Sequence, residues 1–289
     1  MNREECTKNR VINPNFDTTP KPEAVAQLTP TPELIASLAA AEKAPHAART
    51  LGDIDLGKME AEELEELAGA CESRANMYAL LSRVYRVEAD QALLDQLQAA
   101  NYAANTGNKD VDEGYRLLVK WLGQTWEHSL LDLAKDYVRA FIGYTGDHAS
   151  AAYPFESVYR SEKHLLMQES RDEVLACYRA AGLEKDESWR EGEDHVALEF
   201  EYMSTMATRA ADALRSTDTK LAQDLLNDQS HFLQDHLNAW VPNFTKDVER
   251  CATTKFYRGF ALIRAGTSSA RWNSSATWPS RRRRQHSTR

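Results

Sequence analysis

Between Met59 and Arg264, apolar residues recur every three or four positions in one segment after another, and that spacing commits the chain to helices. Leu64, Leu67, Cys71, Ala75, Tyr78, Leu81 and Tyr85 trace one face of a long first helix. Glu60, Glu62, Glu63, Glu65 and Glu66 crowd its opening turns, where the helix dipole favours negative charge, and otherwise read as a solvated face. Leu93, Leu94 and Leu97 mark a second helix over 90–103. Tyr115, Leu118 and Leu122 mark a third over 111–122, and Gly107-Asn108 breaks the two apart. No segment calls for a strand. The expectation is an all-α, helical-bundle-like single domain over 59–264, with about eight or more helices.

The two ends read differently. Residues 1–58 carry Pro14, Pro20, Pro22, Pro30, Pro32 and Pro45, which preclude a long helix and suggest a flexible leader. Residues 265–289 hold no Asp or Glu, many serines and the run Arg281 to Arg284, and read as a disordered tail. The chain as a whole has a net charge of −9. That is a poor match for nucleic acid and a better one for a basic partner. Cys6, Cys71, Cys177 and Cys251 form no Cys-x-x-Cys pair and suit reduced thiols in the cytoplasm. No apolar run approaches the ~18 residues of a membrane span, the N-terminus lacks a secretory apolar core, and neither a phosphate loop nor a dinucleotide fingerprint is present.

The middle of the chain carries the segments of chemical interest. A helix over 126–142 ends at Gly143, and a loop leads to Tyr153-Pro154-Phe155-Glu156-Ser157-Val158-Tyr159. Ser170 with Glu173 has capping-box spacing and starts a helix that stops at Gly182. Glu191-Gly192-Glu193-Asp194-His195 then opens a helix with Leu198, Tyr202, Met206 and Ala210 inward. Acids suit a helix N-terminus, whereas a positive imidazolium does not. The Asp194-His195 pair therefore offers one acceptor and one tunable donor to whatever lies outside. Leu221, Leu225, Phe232 and His236 mark a further helix ended by Pro242. Val248, Cys251, Phe256, Gly259 and Ile263 mark the last, over 245–264.

The stretch from Glu191 to His195 resembles the Glu-Pro-x-Asp-His signature of the TorD/DmsD family of cytoplasmic chaperones for redox enzymes, with Gly192 in place of the proline. Phe141-Ile142-Gly143, Pro154-Phe155-Glu156-Ser157-Val158-Tyr159, His236 with Trp240-Val241-Pro242, and Phe256-Tyr257-Arg258-Gly259 resemble further segments of that family in the same order. The resemblance covers roughly residues 70–264 and implies a cytoplasmic chaperone, not an enzyme, with no cofactor of its own. Its partners would be the twin-arginine signal peptide and the body of a molybdopterin oxidoreductase subunit, held until the molybdenum cofactor is inserted. Glu191, Glu193 and Asp194, with His195, would meet the paired guanidinium groups. Phe141, Tyr153, Phe155 and Tyr159, with Gly143, Pro154 and Ser157 of the matching segments, would form an apolar groove. Family members have been linked to guanine nucleotides, but no element here would carry that binding. A homodimer stays open beside a monomer.

The alternative is a metal-dependent helical hydrolase using Asp194 and His195. It lacks a His-Glu-x-x-His motif, and His231 and His236 stand five apart, not the four that aligns two ligands on a helix. No Ser-His-Asp or Cys-His set can be assembled from sequence order.

Overall fold

The computed structural model describes residues 55–102, 105–143, 150–186 and 188–267. A 3₁₀ turn, Leu56–Lys58, leads into α1 (Ala61–Arg86), α2 (Gln91–Ala99), α3 (Lys109–Leu122) and α4 (Ser129–Tyr137). A π turn, Val138–Ile142, extends α4. Then come α5 (Glu156–Arg160), α6 (Glu169–Ala180), α7 (Val196–Arg215), α8 (Thr219–Phe232), a second π turn at Leu233–Leu237, α9 (Asn238–Cys251) and α10 (Lys255–Thr267). Among the described residues there is no strand, only one isolated antiparallel bridge between Phe155 and His195. The all-helical expectation holds.

Three antiparallel helix pairs build the body. Along α1 and α7, Arg86 pairs with Glu201 at 2.6 Å, the Ser204 hydroxyl donates to the Ala75 carbonyl at 2.8 Å, and Arg215 meets Glu65 and Glu72. On the other side of α7, Tyr202 packs on Phe232 of α8, and the Gln229 amide donates to the Met206 carbonyl. The third pair, α3 and α10, brings backbone close to backbone. A Cβ on Gly114 would stand 2.7 Å from the Gly259 carbonyl oxygen, and one on Gly259 2.9 Å from the Gly114 carbonyl oxygen. Only two glycines let the backbones approach this closely.

The core between these layers is aromatic. Tyr85, Phe141, Phe244 and Tyr257 meet largely edge to face, the arrangement that ring quadrupoles favour. Asp136 of α4 is 2% exposed, yet it accepts the backbone N–H and hydroxyl of both Thr253 and Thr254. It thereby fixes the corner between α9 and α10.

Several boundaries differ from the sequence reading. Leu56, assigned to the leader, is buried at 3% in the core, so packing begins before Met59. The rest of the leader, residues 1–54, and the tail from 268 lie outside the described residues, as does the loop 144–149. Ser170 is no cap: α6 starts at Glu169, and the Ser170 hydroxyl faces inward to Ser157. Leu221 is 48% exposed, because Ala222, Leu225 and Leu226 take the inner face of α8. Pro242 does not end a helix but lies inside α9, one turn after the π turn at 233–237. A widened turn is where a helix accommodates a residue that cannot donate.

Candidate functional site

The two segments singled out in the sequence meet. Phe155, in extended conformation, caps the short α5, and the chain around it runs antiparallel to the chain ahead of α7. The Val196 N–H donates to the Pro154 carbonyl at 2.8 Å, and the Glu156 N–H donates to the Asp194 carbonyl at 3.0 Å. The Asp194 side chain closes this clasp. Its Oδ2 accepts the Ser157 backbone N–H at 2.8 Å and the Ser157 hydroxyl at 2.5 Å. Asp194 is 1% exposed, and burial pushes its carboxyl up, against the two Ser157 hydrogen bonds and with the Glu156 charge. Its other oxygen has no hydrogen-bond partner and lies beside Gly192, where a Cβ would approach it to 2.9 Å. Gly192 therefore gives room to the Asp194 carboxylate.

His195 is the N-cap of α7. Its ring Nδ1 accepts the Ala197 N–H at 3.1 Å, which assigns the neutral tautomer with the proton on Nε2. Phe155 and Trp189 meet the ring edge to face with centroids at 5.0 and 4.9 Å, and the Arg86 guanidinium lies over Trp189. Burial, then the Arg86 charge, push its pKa down to about 3. The conflict between a histidine and a positive helix end is resolved by keeping the ring uncharged.

Two expectations are corrected here. The helix begins at Val196, so Glu193 and Asp194 precede it instead of filling its first turn. Asp194 and His195 are not an exposed pair: both are buried, because the Pro154–Ser157 segment and Trp189 cover them. Glu193 is occupied by Arg171 at 2.5 Å and Lys185 at 3.4 Å, which hold its carboxyl below the usual range despite burial. Glu191 alone of the three acids is exposed.

The aromatic residues divide in the same way. Phe141 is 3% exposed inside the core cluster, packed on Tyr85 and Tyr137, and cannot line a surface groove. Pro154 and Ser157 are buried in the clasp. Gly143 has φ +74° and turns the chain under Ser150 and Tyr153. Tyr159 is half-buried, donating to Asp247 at 3.1 Å and packing on Trp240. Tyr153 and Phe155 are half-buried, Tyr153 beside Gly143 and Phe155 beside Gly192.

The sequence reading missed a buried polar layer directly below. Glu156 is fully buried and accepts from Arg160 at 2.7 Å and from His236 Nδ1 at 3.1 Å. Glu199, also fully buried, accepts the Trp240 indole N–H at 3.1 Å. Burial and the neighbouring Glu156 charge raise the Glu199 carboxyl well above its ordinary range, with the Trp240 hydrogen bond opposing. Glu156 stood inside a quoted segment, and His236 and Trp240 inside another. No sequence spacing links residues 80 and 41 positions apart.

Asp194 Oδ2 is held by Ser157, and the His195 Nδ1 by Ala197. Among the described residues no group of three or more His, Cys, Asp or Glu side chains is arranged to hold a metal ion. No helix among them is long and apolar enough to cross a membrane.

A family model described as the nitrate reductase delta subunit matches residues 106–246, which include both sides of the clasp. The chaperone protein TorD of Vibrio parahaemolyticus is 24% identical over 206 residues, 69% of this chain and 93% of the relative. TorD of Shewanella loihica is 28% identical over 204 residues, covering 67% of this chain and 89% of the relative. TorD of Vibrio cholerae (strain M66-2) is 26% identical over 194 residues, covering 65% and 84%. The relatives that the helical body resembles are named as chaperones, not as hydrolases. The chain is similar to the TorD family of chaperones.

Proposed function

We propose that the protein is a cytoplasmic maturation chaperone. It binds the twin-arginine signal peptide and the apo body of a molybdopterin oxidoreductase subunit and delays export until the cofactor is in place. The observation that carries this reading is the Asp194–Ser157 clasp, which joins the two family-like segments into one unit. The clasp holds Phe155 and Trp189 half-buried around a buried His195, with Tyr153 half-buried at the start of the segment and Glu191 exposed at the surface. An aromatic ledge beside a carboxylate suits a segment with guanidinium groups followed by apolar residues. Asp194, His195, Pro154 and Ser157 hold the ledge in place from behind, and Gly143 lies beneath Tyr153.

Titration calorimetry of the full chain with a synthetic twin-arginine peptide tests it. Binding is expected for the wild type and weakened in Glu191→Gln and Phe155→Ala, with helical content unchanged. A peptide with both arginines changed to lysine should bind less well, because lysine lacks the planar fork. Equal heats for all proteins and both peptides would sink the assignment of this surface.

A further inference from the structure

Cys177 of α6, His236 of the second π turn and Glu156 of α5 stand in line. The Cys177 sulfur is 3.9 Å from His236 Nε2, and His236 Nδ1 is 3.1 Å from Glu156 Oε2. The carboxylate is anchored on its other side by Arg160, and the imidazole rests on Phe232 with ring centroids 4.7 Å apart. This is a thiol, an imidazole and an orienting carboxylate, contributed by three separate elements. Glu156 is fully buried and His236 is 5% exposed, whereas Cys177 is only half-buried, so solvent reaches the array at its sulfur end.

We propose that Cys177 is a reactive thiol, a site at which a hydroperoxide forms a sulfenic acid, activated by the His236 imidazolium that Glu156 orients. A positive imidazole beside a sulfur is the surrounding in which reactive thiols are found. Burial works against the charge on His236, but its hydrogen bonds to Cys177 and Glu156 carry its pKa up to about 9, so the ring is positive at neutral pH. In the step itself the thiolate sulfur attacks one peroxide oxygen. The S–O bond forms as the O–O bond breaks, and the departing hydroxide takes a proton from His236 and leaves as water. The sulfur loses two electrons and the peroxide gains them; solvent returns a proton to His236. An external thiol restores the cysteine. The neighbouring residue, Tyr178, donates its hydroxyl to the Glu193 carbonyl at 3.1 Å, so the modified sulfur lies one residue from a direct contact with the clasp strand.

The chain supplies its own controls. Cys71 is fully buried. Cys251 is half-buried like Cys177 but has no imidazole, and burial pushes its thiol up. The full chain is treated with hydrogen peroxide at pH 7, sulfenic acid is trapped with dimedone, and the labelled cysteine is located by mass spectrometry. Cys177 is expected to label about tenfold or more faster than Cys251. His236→Gln should bring Cys177 down to the Cys251 rate, and Glu156→Gln should slow it in the same direction. If either variant fails to fold, the wild-type comparison decides alone. Equal labelling of Cys177 and Cys251, or an unchanged rate in folded His236→Gln, would overturn the proposal.

Discussion

Ser157 places both its backbone N–H and its hydroxyl on a single oxygen of Asp194, across 37 residues of chain. The same hydroxyl accepts from the Gln168 N–H at 3.1 Å and lies 3.3 Å from the Ser170 hydroxyl. One small side chain thus ties together the loop before α5, the start of α6 and the entry to α7. Ser157→Ala should therefore destabilise the fold by about 1–3 kcal/mol, the cost of leaving a buried charged acceptor underserved. Urea unfolding with an unchanged slope would measure it, and a loss under about 0.5 kcal/mol would show the clasp to be incidental.

Glu199 carries a different signature. Its folded-state pKa is raised, so the native carboxyl stays protonated where the unfolded one ionises. The stability this group contributes is full below about pH 4.5 and falls as pH rises. Glu199→Gln keeps an acceptor for the Trp240 indole and removes the titration. Its melting temperature should exceed the wild type's at pH 8, and the gap should close toward pH 5. A gap of the opposite sign at pH 8 would mean that the charged carboxylate is stabilising.

The two buried histidines should pull in opposite directions. His195 has its pKa lowered to about 3, so the unfolded chain gains a proton that the native state refuses. Stability is lost as pH falls from about 6.5 toward that value. His236 has its pKa raised to about 9, so its contribution is complete below about pH 6.5 and disappears as pH climbs to about 9. In a denaturation series across pH, His195→Asn should flatten the acid limb and His236→Gln the alkaline limb. Exchange of the two limbs between the variants would refute the assignment.

Gly114→Val should be among the most damaging single changes in the body. Its added atoms would fall on backbone, the Gly259 carbonyl, which cannot rotate away. Overpacking of about 1–3 kcal/mol is expected, read as a fall in the denaturation midpoint. Gly69, where an added Cβ would meet nothing within 4 Å, is the matched control and should tolerate alanine.

A chain started at Met59 should melt lower than one started at Asp55. Leu56 is buried, and deleting a buried leucine costs about 2–5 kcal/mol. Equal melting of the two would mean that the Leu56–Lys58 turn adds nothing to the core.

The helices were legible because each is amphipathic at short range. The face from Leu64 to Tyr85 is buried as its spacing implied. Gly107 and Gly143, both at positive φ, are the turns they looked like. The site was legible as segments but not as geometry. Burial of Asp194 depends on Ser157, and burial of His195 on Phe155 and Trp189, contacts that no local pattern encodes. Ser170 shows the converse: a capping pattern was outcompeted by an inward hydrogen bond from the same hydroxyl.

A close backbone contact joins Gly114 to Gly259, and through it α3 waits on α10. Phe256, Tyr257 and Phe260, all fully buried, come from that last helix. A ribosome making this chain would release α1 to α9 before the element that seals them exists. The growing chain would hold an open aromatic seam until its final turns emerge. The protein would itself, for the length of its own synthesis, be a client in need of shelter.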